Sequence, residues 1–177
     1  KLCLEEGNSK EAIGILESGW QSHGGEFPRI GMLLCEAMIH EHRIEEAKVL
    51  LAKLPDSVDH PRICYLEGLL HQHEGDYDEA LQFYSTAAEG RPEETRFQFR
   101  LGYMHSLYGD EEAAIEAYRM CQRSAPLYAR AMINLGVLYE DADRYEEAIT
   151  CYRMVLLSNP DHRRAQLYLR DAEASQS

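Results

Sequence analysis

Histidine and carboxylate residues crowd together at two places in the chain, at His40, Glu41 and His42 and again at His71, Gln72, His73 and Glu74. Imidazole and carboxylate are ordinary ligands of zinc and related ions. On a helix, however, residues two apart point to different faces, so neither histidine pair converges easily on one ion. His71 and His105 hold equivalent places 34 residues apart and could approach each other. Packed or solvated histidines account for all of these without a metal. The five cysteines, Cys3, Cys35, Cys64, Cys121 and Cys151, are odd in number, widely spaced and free of any CxxC pair. They read as small buried residues of a reducing compartment rather than as disulfides or metal ligands. No HExxH, GxxxxGK[ST] or GxSxG occurs, so none of these patterns supplies a metal-bound water, a phosphate cradle or an activated serine. The expectation is a protein without catalytic residues, cofactor or metal.

The chemistry that does recur is charge. Arg29, Arg62, Arg96, Arg130 and Arg164 follow one another at spacings of 33, 34, 34 and 34. A guanidinium holds a carboxylate through two parallel hydrogen bonds, so a ladder of them suits acidic groups. The formal net charge is nevertheless −13. That balance argues against nucleic acid or an anionic membrane as the main partner, because both need a positive field.

The elements that carry these residues repeat at the same interval. Ala12, Ala47, Ala80, Ala114 and Ala148 form a column, and four residues after each stands Leu16, Leu51, Tyr84, Tyr118 or Tyr152. Gly68, Gly102 and Gly136 form a third column and Pro92, Pro126 and Pro160 a fourth. Each unit reads as two amphipathic helices, the first from about Pro61 to Glu74 and the second from about Asp76 to Gly90, with Pro92 ending it. Small residues let two helix backbones approach, and the aromatic four residues on fills the space beside them. Glu45, Glu46, Asp76, Asp78, Glu79, Asp110, Glu111, Glu112, Asp143, Glu146 and Glu147 all fall at the start of a second helix. Negative charge there complements the helix dipole, and Asp76 or Asp110 can cap free N–H groups. These acids are therefore structural and belong away from a groove.

This pattern resembles the tetratricopeptide repeat, a helix-turn-helix unit of 34 residues. The match is close in 129–162, "LGVLYEDADRYEEAITCY…NP", and good in 61–94 and 95–128. The unit 28–60 is one residue short, has Leu34-Cys35 where Leu-Gly is usual and ends early at Pro55. Residues 1–26 resemble the tail of an earlier repeat and 163–175 a closing helix. Glu67 departs from Leu101 and Leu135, and His71 and His105 from Tyr139. The resemblance implies one all-α domain over 1–177, a right-handed superhelical solenoid of stacked antiparallel helix pairs. One helix pair cannot bury its own apolar face, so copies must stack.

The resemblance also implies a site. In tetratricopeptide arrays the first helices line a concave groove, which would receive the arginine column. The same likeness puts Tyr65, Leu69, Phe99, Arg100, Tyr103, Ile133, Asn134, Val137, Leu167 and Tyr168 on the groove side. Such a surface suits a peptide or helical segment with acidic and apolar side chains, and Asn134 can pair with a peptide backbone. The arginines have a second possible use, pairing with acids of the neighbouring repeat such as Glu36 or Glu67. Tetratricopeptide co-chaperones grip a C-terminal carboxylate through lysines and asparagines at set positions. Here those positions hold Met32, Glu36 and Leu66, or Tyr65, Leu69 and Arg100, so that function is not carried over.

The closing segment "NPDHRRAQLYLRDAEAS" is similar to the end of certain bacterial proteins that join such repeats to a domain like the C-terminal domain of RNA polymerase α subunit. The expected function is a non-catalytic scaffold that binds a protein partner. Two alternatives are the repeat portion of a bacterial transcription-associated protein and a structural, self-associating module. The second would use the apolar face of Leu2, Leu4, Ile13, Leu16 and Trp20. No apolar run reaches the roughly 18 residues of a membrane span, and "KLCLEEGNSK" has no apolar signal region. The chain opens in mid-pattern, as a fragment of a longer protein would. A cytoplasmic location is the expectation.

Overall fold

The computed structural model describes residues 9–23, 26–55, 59–123 and 126–176. Ten helices and no strand occur among them. They fall into two compact units, residues 1–90 and 91–177.

The first unit holds α1 (Ser9–Ser22), α2 (Pro28–His40), α3 (Ile44–Leu51), α4 (His60–Glu74) and α5 (Tyr77–Gly90). Sequential helices pair, α1 with α2, α2 with α3 and α4 with α5. Pro28 and Pro61 stand at the starts of α2 and α4, where a missing N–H loses nothing. Gly75 ends α4 in the left-handed conformation, with φ of 88°. Its equivalent in the preceding turn is His42, which takes φ of 61° without being glycine.

The second unit holds α6 (Thr95–Leu107), α7 (Glu111–Arg119), α8 (Tyr128–Asp141), α9 (Tyr145–Ser158) and α10 (Arg163–Ser175). Its core joins Phe99, Ala114, Tyr118, Ala131, Ile133, Ala148, Tyr152 and Ala165. The helix α7 ends at Arg119, well short of Pro126. The backbone N–H of Gln122 donates to Thr95 Oγ1 at 2.9 Å, and the Cys121 thiol donates to Thr95 O at 3.8 Å. These bonds draw the chain out of the helix before any proline acts.

The repeated columns meet each other inside each helix pair. Ala47, Ala80, Ala114 and Ala148 are fully buried, as are Tyr84, Tyr118 and Tyr152. The rings of those tyrosines press on Gly68, Gly102 and Gly136. A methyl group there would stand 2.7, 3.0 and 2.4 Å from the nearest ring carbon. The glycines are thus the floor on which the tyrosines lie. In the short repeat Cys35 takes the place of that glycine, fully buried, with its thiol donating to Ala47 O at 3.5 Å.

The acids behave as charge patterning predicts. α3, α5, α7 and α9 each carry two acids in the first turn. Asp110 accepts from Ala113 N at 3.2 Å and so caps α7. Cys35, Cys64, Cys121 and Cys151 are buried free thiols. Burial pushes Cys35 and Cys121 up to about 12 and Cys151 up to about 11, which keeps them protonated and unreactive. Cys3 lies outside the described residues.

Candidate peptide-binding surface

The arginine column occupies one kind of place in the fold. Arg29, Arg96 and Arg164 are the second residues of α2, α6 and α10, and Arg62 and Arg130 the third residues of α4 and α8. None of these five helices has an acid in its first turn. A cation at a helix N-terminus opposes the dipole, so helix stability does not explain the column. Each arginine opens a stripe that runs along its helix at intervals of three and four residues. In α8 the stripe is Arg130, Asn134, Val137 and Asp141, and in α6 it is Arg96, Arg100, Tyr103 and Leu107. These side chains are half-buried or exposed.

The sites expected from the sequence divide into two layers. Arg29, Arg130 and Arg164 are exposed, while Arg62, Arg96, Arg100, Tyr103, Asn134, Val137 and Tyr168 are half-buried. Tyr65, Leu69, Phe99 and Ile133 lie beneath them, each less than 5% exposed. They support the surface and offer it almost no area. The apolar type of these residues was legible, but not that the second helix of the pair would cover them.

Several of these residues meet. The Arg130 guanidinium lies over the Phe99 ring, 5.0 Å from its centre. Arg164 stacks on Tyr168 at 5.2 Å and donates to its hydroxyl at 3.0 Å. Asn134 Nδ2 donates to Tyr118 Oη at 3.1 Å, which commits one amide donor and leaves the carbonyl side available. Arg96 pairs with Glu94 at 3.2 Å, an acid of its own helix start. Tyr65 Oη donates to Glu36 at 3.4 Å, so Glu36 is engaged by a tyrosine. Among the described residues no carboxylate pairs with Arg29, Arg130 or Arg164.

The stripe also holds residues that the sequence did not single out, Leu33, Leu107 and Asp141, together with His40, singled out there only as a metal candidate. Extending each arginine's helical phase by about three turns would have found them.

The histidines contact groups of their own or the adjoining turn. His71 Nδ1 faces Asp76 at 3.5 Å and His105 Nδ1 faces Asp110 at 3.4 Å. Both contacts join the end of a first helix to the start of its partner helix. His71, Glu74 and Asp76 have ligand atoms within 4.8 Å of one another, a grouping that spans the turn. Lys48 already engages Glu74 there. His42 packs edge-on against His73, 4.8 Å between ring centres.

Of the apolar face proposed for self-association, Leu2 and Leu4 lie outside the described residues. Ile13 is buried and Trp20 packs on Gly31, whereas Ile15 is 66% exposed. No described helix is long and apolar enough to cross a membrane.

Helix pairs repeated at one interval, locked by an alanine, a glycine and a tyrosine column, define an all-α repeat array of the protein-interaction kind. The chain belongs to the tetratricopeptide repeat family: three family models, each described as tetratricopeptide repeat, match residues 4–68, 65–129 and 129–162. Solved structures share the fold. The C-terminal part of a TPR repeat-containing protein from Cytophaga hutchinsonii matches with a TM-score of 0.70 at 18% identity, over 96% of this chain and 67% of that one. YrrB, a TPR protein with an unusual peptide-binding site, matches with 0.61 at 19% identity, over 90% and 82%. The Cut9–Hcn1 hetero-tetramer of the APC/C matches with 0.76 at 18% identity, over 94% of this chain and 34% of that one. No curated protein matches the chain at a significant level.

Proposed function

We propose that the chain is a non-catalytic scaffold whose first helices capture a segment of a partner protein with acidic and apolar side chains. The observation that carries this reading is the set of arginines in the first turns of α2, α4, α6, α8 and α10, where the dipole disfavours them. A position held against helix preference in five helices fits a ligand-facing role. Phe99 holds Arg130 by its ring, which orders the guanidinium group and leaves its N–H edges for an incoming carboxylate, while Arg164 already donates from Nε and Nη2 to the Tyr168 hydroxyl and would have to exchange that partner. The peptide-binding site of YrrB is a precedent within the same fold.

The test is affinity capture from source-cell lysate with the wild-type protein and with a protein carrying Arg62→Glu, Arg96→Glu and Arg130→Glu. Partners retained by the wild type alone, with equal helical content by circular dichroism, are the expected result. Identical partner lists would return the arginines to a purely internal role. Exposed Ile15 and Phe27 favour a second reading, self-association through the first unit. Sedimentation that shows a monomer at every concentration would eliminate it.

A further inference from the structure

The same crevice occurs once in each unit, and the two copies differ in charge. In the first unit α1, α2 and α3 frame a crevice of about 580 Å³. In the second α7, α8 and α9 frame one of about 700 Å³. The linings correspond position for position at an offset of 101 residues: Leu34 with Leu135, Met38 with Tyr139, Glu46 with Glu147 and Leu50 with Cys151. Neither crevice includes the arginine column.

In the first unit two glutamates of the lining, Glu17 and Glu46, are tied to Arg43 by ion pairs. Arg43 Nη2 reaches Glu17 at 2.9 Å and Glu46 at 2.5 Å, and its Nε donates to Glu46 at 2.7 Å. In the second unit Arg144 takes the place of Arg43 and likewise binds Glu147, at 2.7 Å. Glu17, however, is replaced by Arg119, and Gln21 by Arg123, at an offset of 102 because the chain from Glu17 to Leu34 is one residue longer than that from Arg119 to Leu135. Among the described residues no carboxylate pairs with either arginine. The lining thus carries three arginines against two glutamates, where the first unit carries three glutamates against one lysine.

A second observation points into the same space. Tyr128 lines the crevice and is 5% exposed, yet among the described residues its hydroxyl oxygen has no hydrogen-bond partner. A buried hydroxyl left unmatched costs about 1–3 kcal/mol. Burial raises its phenol, with the Arg123 charge acting in the opposite direction. The Arg119 charge similarly offsets part of the burial effect on Cys151. Both guanidinium groups therefore act on atoms inside the crevice and not only on solvent.

We propose that the α7–α8–α9 crevice is a second docking site, which takes an acidic peptide segment by pairing its carboxylates with Arg119 and Arg123 and seating an adjacent apolar side chain on Met154, with the buried Met132 beneath it. Charge complementarity selects this occupant. The lining includes Cys121, Met132, Leu135, Cys151 and Met154, and among the described residues Arg119 and Arg123 have no carboxylate partner in an otherwise acidic chain. The proposal is independent of the arginine column on the first helices.

The methionines allow a direct test. The full chain is labelled with ¹³C at its methionine methyl groups and titrated with a short synthetic peptide alternating leucine and glutamate. The resonances of Met132 and Met154 should shift, while Met38, in the equivalent crevice of the first unit, and Met32 stay in place. Arg119→Glu with Arg123→Glu should weaken the response by roughly tenfold or more, and the milder Arg119→Gln with Arg123→Gln by less. The Arg62, Arg96, Arg130 reversal should leave it unchanged, which separates this site from the first-helix surface. Unmoved Met132 and Met154 resonances would overturn the proposal. So would an equal response to a control peptide alternating leucine and lysine, or an undiminished response in the Arg119/Arg123 variants.

Discussion

Replacing Gly136 with alanine tests the packing rule on which the array is built. Alanine in a helix interior is favoured over glycine by about 1 kcal/mol, so propensity alone predicts stabilisation. The structure predicts the reverse. The new methyl carbon would lie 2.4 Å from Tyr152 Cε1 and 2.6 Å from Cζ, against an ordinary carbon contact of about 3.5–4.0 Å. Tyr152 is fully buried and cannot swing away. Overpacking costs about 1–3 kcal/mol, and so severe an approach belongs at the upper end. The net loss should be about 2 kcal/mol, a fall in Tm of about 4–8 °C for a chain of this size. Gly68→Ala, at 2.7 Å, should lose about 1 kcal/mol, and Gly102→Ala, at 3.0 Å, should be nearly neutral. Urea unfolding followed by circular dichroism measures the series. Pairing Gly136→Ala with Tyr152→Leu should remove the penalty, giving a coupling of at least about 1 kcal/mol. A stabilised Gly136→Ala protein, or a penalty that persists without the ring, would refute the reasoning.

Other substitutions test neighbouring parts of the scheme. Ala148→Leu places a bulky side chain at a fully buried crossing and should cost roughly 1–3 kcal/mol by thermal melt. Gly109→Ala and Gly14→Ala should have opposite signs, since neither methyl group meets a neighbour within 4 Å. Gly109 has φ of 70° and should lose about 1–2 kcal/mol, whereas Gly14 lies in α1 and should gain about 1 kcal/mol. Glu67 stands where leucine stands in later repeats, and burial raises its carboxyl above the usual 4.5. The folded state then holds its proton more tightly than the unfolded state does. Its contribution to stability should grow as pH falls through the raised value and level off near 4.5. Subtracting the pH–stability curve of Glu67→Gln from that of the wild type should isolate this slope, and Glu67→Leu should stabilise at neutral pH by roughly 1 kcal/mol.

Repetition made most of the fold legible. A column such as Ala47, Ala80, Ala114 and Ala148 places the same packing demand at four positions, so its period reveals a helix crossing without knowledge of the partner helix. The helix boundaries near His60, Glu74 and Gly90 follow from local signals, Pro61 at the start of α4, left-handed Gly75 at its end and Pro92 just beyond α5. The early end of α7 was not legible, because it depends on Thr95 catching Gln122 from 27 residues away. The depth of Tyr65, Leu69, Phe99 and Ile133 was hidden for a related reason. An apolar residue on a first helix serves equally as a ligand surface or as a lid over the second helix, and only the packed pair distinguishes them.

Arg119 and Arg123 were hidden by the search itself, for a period reveals what is kept and passes over what is changed. In a repeat array the kept positions are those that hold neighbours together, and every copy must satisfy them. Function distinguishes one copy from another, so it is written in the departures. The crevice of the first unit keeps Glu17, which pairs with Arg43, while that of the second replaces the acid with an arginine and, among the described residues, leaves two cations without carboxylates. Since the framing residues are otherwise equivalent, the first crevice is a built-in control for the second. Arg119→Glu restores the first unit's arrangement around Arg144 and should form the same ion pair there. If that substitution stabilises the protein while abolishing peptide binding there, the open charge is maintained for a ligand at a cost to the fold. If it leaves both properties unchanged, the two crevices are interchangeable and the difference between them carries no function.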